Sequence, residues 1–269
     1  MGYGQIILIS WLSIAVIMFL FYLIQLKTKD ATLVDVVWAS GLGLTACFYS
    51  IASTGDSSRR ILLAIIVAVW SFRLAFYLIL RSIERPEDGR YAMLRKKWGN
   101  AEDRNFFLFY QAQASWVILF SIPFLIVSQN KREMWAWYDF VAVFIWLSAI
   151  AGESLADLQL NKFRKDPKNK GKTCQEGLWK YSRHPNYFFE WLHWFTYILL
   201  AIGSKWWWFS FSGPIVMLLF LYKLTGIPYT EKRAIESRGD EYRRYQETTS
   251  AFFPWFPKRS THETDNRFN

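Results

Sequence analysis

The sequence predicts an all-α integral membrane protein of seven transmembrane helices, with cytoplasmic loops and an amphipathic carboxyl-terminal helix. Of its 269 residues, 52% are hydrophobic and 19% aromatic. The apolar residues gather into blocks of about 20, the length a helix needs to cross a bilayer core. Lys and Arg concentrate in alternate connections between those blocks, as cytoplasmic loops do.

The blocks fall at 5–24, 32–52, 61–80, 107–128, 135–157, 187–202 and 206–225. The first begins "MGYGQIILIS", which lacks the basic start and small-residue cleavage site of a secretory signal, so it reads as a span. The second, "DVVWASGLGLTACFYS", is only moderately apolar, and the third carries Arg73 within "WSFRLAFYL". The fourth is unbroken, and the fifth ends on Glu153 and Asp157. Glu190 and His193 interrupt the sixth, and the seventh runs from a Trp cluster to Lys223. A charged helix follows, then a turn at Gly239 and a Trp- and Phe-rich stretch suited to the interface. Residues 1–259 read as one transmembrane domain, and 260–269 as a disordered tail.

Connections after the first, third, fifth and seventh blocks hold 25 of the 32 Lys and Arg, and those on the other side hold five. That asymmetry puts the amino terminus outside and the carboxyl terminus in the cytoplasm. The net charge of +10 therefore belongs to one membrane face, where it serves topology and anionic lipid or holds an anionic cofactor. No basic stripe on a soluble module supports a nucleic-acid partner. Cys47 and Cys174 are placed for neither a disulfide nor, with three His, a metal site.

Charged side chains at the centre of a span cost about 2.5–3.5 kcal/mol each, so those that persist need a partner or a role. Asn186, Glu190, His193 and Tyr197 share one helix face by their spacing, and so do Glu153, Asp157, Asn161 and Arg164. Two such stripes near the cytoplasmic ends of neighbouring spans can border one polar cavity; alternatively, Glu153 and Asp157 neutralise nearby cations. Pro185 suits the first turn of a helix, which sets Arg183 and His184 at a helix amino terminus, an anion site. A phosphate-bearing ligand lying there would offer a carboxamide or hydroxyls to Asn186 and Glu190.

"GLWKYSRHPNYFFEW" resembles the carboxyl-terminal segment of the steroid 5α-reductase family, including its bacterial homologues. "GESLADLQLNKFRKD", "DVVWASGLG", "WSFRLAFYL" and "RPEDGRYAMLRKKWG" resemble further segments of it, and together these cover most of residues 30–258. The resemblance implies a monomeric NADPH-dependent reductase of a bacterial inner membrane that saturates the double bond of a 3-oxo-Δ4 steroid or similar lipophilic enone. By matching position, its cofactor contacts would be Arg73, Arg85, Asp157, Arg164, Lys172, Asn186 and Glu190. The geometry of the block adds Tyr181, Arg183, His184 and Tyr187. The sequence departs from the family at Trp70, where a Tyr aligns, and at Phe189, where many relatives have Gly. In the carboxyl-terminal helix, Glu231, Arg233, Tyr242 and Tyr245 replace His and Arg.

Gly41 and Gly43 form no dinucleotide fingerprint, so the cofactor would lie among helices. Hydride would go to the β-carbon beside Asn186 and the catalytic Glu190. A protonated Asp35 is expected to donate to the carbonyl as an oxyanion-type stabiliser, with Tyr77 and Tyr49 as substitute donors. Two rivals remain: an isoprenylcysteine-type methyltransferase using S-adenosylmethionine, which shares an Arg-His-Pro-x-Tyr block, and a transporter or lipid scaffold whose buried charges line a path.

Overall fold

The structure, a computed structural model, describes residues 1–83, 87–224 and 226–258. The expected disordered tail and Arg85 lie outside the described residues. Among those described the chain is helical and forms no strand. Six helical stretches are long and apolar enough to cross a membrane. They include α1 (Tyr3–Thr28), α2 (Leu33–Ala52) and α3 (Ser57–Ile83). After the short charged α4 (Gly89–Trp98) come α5 (Glu102–Ser128) and α6 (Trp137–Lys165). The sixth stretch opens with a 3-10 turn at Trp207–Phe211 and continues through α9 (Ser212–Leu219).

The block expected at 187–202 is not one helix. It forms α7 (Pro185–Leu192) and α8 (Trp194–Ala201), eight residues each, or about 12 Å apiece at 1.5 Å per residue. Neither half crosses a bilayer alone. The break is at His193, whose N–H is shared between the carbonyls of Phe189 and Trp191, while the N–H of Thr196 tightens onto the His193 carbonyl at 3.1 Å. Beyond the apolar part of the last stretch lie the charged helices α10 (Ile227–Arg238) and α11 (Asp240–Thr248). They are separated at Gly239, whose φ of +57° suits the turn expected there.

Contacts gather the chain into two compact units, one of residues 1–139 and 197–213, the other of 140–196 and 214 onward. In the first, α2 packs against α1, α3 and α5. Its small residues allow close approach, the device membrane helices use where no hydrophobic force drives them together. A Cβ on Gly43 would stand 2.5 Å from the Ser71 hydroxyl, which donates to the Ala39 carbonyl at 2.6 Å. This accounts for the Gly-Leu-Gly of α2 as packing.

The same unit contains a fully buried ion pair. Arg59 Nη1 meets Asp139 Oδ1 at 2.6 Å and Nη2 meets Oδ2 at 3.3 Å, with both side chains at most 1% exposed. Nη1 also donates to the Leu200 carbonyl at 2.8 Å, and Asp139 Oδ2 accepts the N–H groups of Trp135 and Ala136, each at 3.0 Å. Asn130 donates to the Leu200 and Ile202 carbonyls beside it. A buried charge loses its hydration, which these partners offset at both Nη atoms, while the Arg59 Nε has no hydrogen-bond partner among the described residues. Arg59→Ala strands Asp139 and is expected to cost about 3–5 kcal/mol, read as a large fall in thermal midpoint in detergent. Arg59→Lys, lacking the two-pronged geometry, should fall between.

Candidate functional site in the second unit

The two polar stripes read from the sequence meet in the second unit. Asn186 Nδ2, on the first turn of α7, donates to Asp157 Oδ1 on α6 at 3.2 Å. One turn further along α7 is Glu190, buried, with His193 Nε2 3.5 Å from its carboxylate. Glu153 lies one turn before Asp157, and both are buried. Three carboxylates and an imidazole are thus withdrawn from solvent in one unit, and such groups are kept where they pair with one another or with cations, or serve a polar ligand or a proton path.

What sets this register is the docking of the preceding segment onto α6. Trp179 Nε1 donates to the Ala156 carbonyl at 2.9 Å and the Leu178 N–H to Gln159 Oε1 at 2.9 Å. Gly177, with φ +57°, lies against Gln159 where a Cβ would overlap the amide. Phe189 is accommodated in a complementary way. Its ring occupies the space over Gly152 of α6, where any Cβ would overlap it.

Arg183 and His184 have a different partner from the one expected. The sequence set them at an anion site for cofactor phosphates, and in the structure the anion is the chain's own Glu231 on α10. Arg183 Nε reaches it at 2.7 Å and His184 Nε2 at 3.3 Å. Arg183 Nη1 donates to the carbonyls of Gln246 and Thr249 at 2.9 and 2.6 Å, and its backbone N–H to Ser250 at 2.8 Å. Tyr187 stacks on His184 with ring centres 5.3 Å apart and contacts Thr230 at 3.3 Å. Tyr181 packs edge-on against Phe256 and accepts the Trp255 N–H. These four residues therefore build the scaffold behind Asn186. Glu231 carried no assigned role in the sequence reading, because nothing in α10 marks which distant cation it will meet.

Arg164 and Lys172, expected from the resemblance as cofactor contacts, lie on one cavity. They line a cavity of about 320 Å³ with Phe163, Asn169, Lys170, Gly171, Ser237 and Arg238. Arg164 is seven residues beyond Asp157 on α6, about 10 Å along the helix. Arg238 escaped the sequence reading, since α10 is remote in sequence from the loop after α6.

In the first unit, Asp35 does not act as the donor its expected role required. Both its oxygens accept: Oδ2 from Arg90 Nη2 and Oδ1 from the Tyr91 hydroxyl, each at 2.6 Å. Arg90 and Tyr91 thus take up both of the oxygens that the expected role would have turned toward a substrate carbonyl. Of the substitute donors, Tyr49 is buried with its hydroxyl 2.9 Å from Ser121. Tyr77 lies half-buried on α3, one turn from Arg73.

A family model described as protein of unknown function (DUF1295) matches residues 21–249. The chain belongs to the DUF1295 family. It is also similar to an uncharacterized protein of Schizosaccharomyces pombe, 26% identical over 263 residues, covering 86% of this chain and 74% of the yeast protein. No solved structure matches.

Two predictions follow from the geometry of this unit. Gly152→Ala should displace Phe189 and destabilise the fold, and Phe189→Gly should recover part of that loss. A thermal-unfolding double-mutant cycle should show a coupling of about 0.5–3 kcal/mol between them. The second concerns acid. Burial pushes the His184 imidazole below its ordinary 6.5 despite Glu231. Burial would raise the Glu231 carboxyl, but hydrogen bonds from His184 and Arg183 outweigh it and hold the group at about 2. Both folded-state values lie below the unfolded ones, so this stabilisation is full above pH 6.5 and is lost as acid is added, for Glu231 between 4.5 and about 2. Thermal midpoints should fall across that range, and Glu231→Gln should flatten its lower part.

Proposed function

We propose that the protein is an NADPH-dependent membrane reductase that saturates the carbon–carbon double bond of a lipophilic enone, such as a 3-oxo-Δ4 steroid. The observation that carries this reading is the hydrogen bond from Asn186 to Asp157. It joins the Asn-x-x-x-Glu step of α7 to the acidic face of α6, which supports reading these side chains as a polar seat for a carboxamide-bearing nucleotide. The matching family is steroid 5α-reductase-like, and the motif resemblance adds to the case.

The donor set fits the cofactor. Asn186 and Glu190 offer an amide and a carboxylate one turn apart, suited to the donors and acceptor of a carboxamide. Arg164 and Lys172 supply cations for phosphate about two helical turns from Asp157. When bound, NADPH supplies the hydride, and the protein's part is orientation and exclusion of water. Asn186, fixed by Asp157, and Glu190 would hold the carboxamide of the cofactor. The scaffold of Arg183, His184 and Tyr187 keeps that helix turn in place. On this reading α7 and α8 together form a seventh crossing, the carboxyl terminus lies in the cytoplasm, and substrate arrives from the lipid.

The test is loss of the nicotinamide absorbance, using detergent-purified protein, NADPH and progesterone as the enone. Steroid-dependent oxidation is expected. Glu190→Ala and Asn186→Ala should lower its rate by at least about a hundredfold, the scale of a lost oriented contact at a reacting centre. Absence of NADPH binding, with bound S-adenosylmethionine instead, would replace the reductase with a methyltransferase.

A further inference from the structure

A second cavity of this unit, of about 440 Å³, opens between the end of α11 and the segment that follows it. Its apolar wall is made by Phe253, Trp255 and Phe256, whose side chains are 54–76% exposed. Rings so bare add little to the protein's own core and mark a surface that something covers. The segment that carries them is nonetheless fixed. The Trp255 N–H donates to the Tyr181 carbonyl at 2.9 Å and the Lys258 N–H to the Thr248 carbonyl at 2.8 Å. Trp255 and Phe256 stand nearly at right angles, with ring centres 6.5 Å apart. Phe252 packs on Tyr222, where the apolar part of the last stretch ends, and Phe253 on Trp191 of α7. The exposed rings therefore sit at the edge of the apolar helices, the level at which Trp settles in a bilayer.

Charge narrows the occupant. Arg183 lines the cavity with a guanidinium that Glu231 already matches. That leaves the Glu247 carboxylate and the Lys258 ammonium, neither of which forms an ion pair among the described residues. The Ser250 hydroxyl, also on the wall, makes no hydrogen bond among them. With one anion and one cation side by side, an anionic headgroup would lose at Glu247 what it gains at Lys258. A group that carries both charges meets each with its opposite. Aromatic faces beside a carboxylate recognise ammonium groups, and a lysine beside an unengaged hydroxyl suits a phosphate. The volume falls within the range of small-molecule pockets, about 300–1,000 Å³.

We propose that this cavity seats the headgroup of a zwitterionic phospholipid from the surrounding bilayer. The ammonium of the lipid sits against Glu247 and the rings of Trp255 and Phe256, and its phosphodiester against Lys258 and Ser250. Its acyl chains leave past Phe253 toward the apolar helices. Neither Asn186 nor Glu190 lines this cavity, so the site makes no demand on the reaction that the protein performs. A lipid held there covers the bare rings and braces the segment whose backbone meets Tyr181 and Thr248.

Native mass spectrometry of the full-length protein in detergent, with lipids of matched acyl chains offered in mixed micelles, counts what is retained. The wild type should keep one phosphatidylcholine at least about tenfold in preference to phosphatidylglycerol, which lacks the ammonium, and to diacylglycerol, which lacks both charges. Glu247→Gln and Trp255→Ala should each weaken that retention by about tenfold, the scale of one lost charge or cation–aromatic contact. Glu247→Lys should turn the preference toward phosphatidylglycerol, because both charges left in the cavity are then positive. Thermal midpoints without added lipid should match the wild type, which shows that the variants fold. Glycerophosphocholine, the headgroup without its chains, should displace the lipid, and inorganic phosphate should not. Equal retention of the three lipids, or Glu247 variants that choose as the wild type does, overturns the proposal. Displacement by inorganic phosphate reduces the cavity to a simple anion site and overturns it too. Retention of none, in a protein that Trp255→Ala turns from dimer to monomer, gives the surface to a second copy of the chain, and the lipid assignment falls.

Discussion

In the second unit one guanidinium joins three segments distant in the chain. Arg183, with its side chain 10% exposed, meets a carboxylate of α10 with Nε, and with Nη1 two carbonyls at the end of α11. A half-satisfied cation there would be a liability. Satisfied on two edges, it ties these segments together, because the fixed fork of a guanidinium meets several acceptors at once. Neighbouring bonds reinforce it: Ser182 Oγ donates to the Phe252 carbonyl at 2.8 Å, and the buried Tyr245 hydroxyl donates to the Trp179 carbonyl. The amino-terminal end of α7 is thereby held from both sides. Asn186 and Glu190 inherit their positions from it, so a block that reads in sequence as a binding motif works in the fold as the mount for these two side chains.

Local periodicity carried most of what the sequence disclosed. Apolar run length located five of the expected spans as single helices, and the three- and four-residue steps correctly put Asn186 and Glu190 on one face of α7, and Asp157 and Arg164 on α6. Pairings between distant segments were closed to it. Arg183 and Glu231 are 48 residues apart, Asp35 and Arg90 are 55. No spacing rule joins such partners, so the acid beside Arg183 and the base beside Asp35 both went unread. The cation cavity shows the same divide: Arg164 and Lys172 were legible through motif resemblance, whereas Arg238 reaches it from another helix.

The division of the sixth block at His193 has a comparable cause. Its residues are apolar enough on average to be read as one helix, and only the carbonyl sharing at the break reveals two. Non-helical backbone at membrane depth is tolerated where protein or a cavity meets its polar groups. The break falls directly after Glu190, in the most polar part of the segment. The Phe at position 189 is likewise explained by geometry that sequence does not state, since Gly152 on the facing helix gives up the volume that the ring fills.

The pairing of Arg59 has a consequence for how the chain is made. Asp139 is 80 residues further along and the Leu200 carbonyl 141 residues further. At a synthesis rate of about 5–20 residues per second, α3 emerges several seconds before its counter-ion does and longer still before Leu200. During that interval the arginine lacks the partners that offset its burial in the finished fold, so α3 cannot bury it there until they arrive. The first unit closes only after translation has passed residue 200, and much of the second has by then been synthesised. Maturation of the two units is thus interleaved in time, and an early helix waits in an unfinished position for a late one.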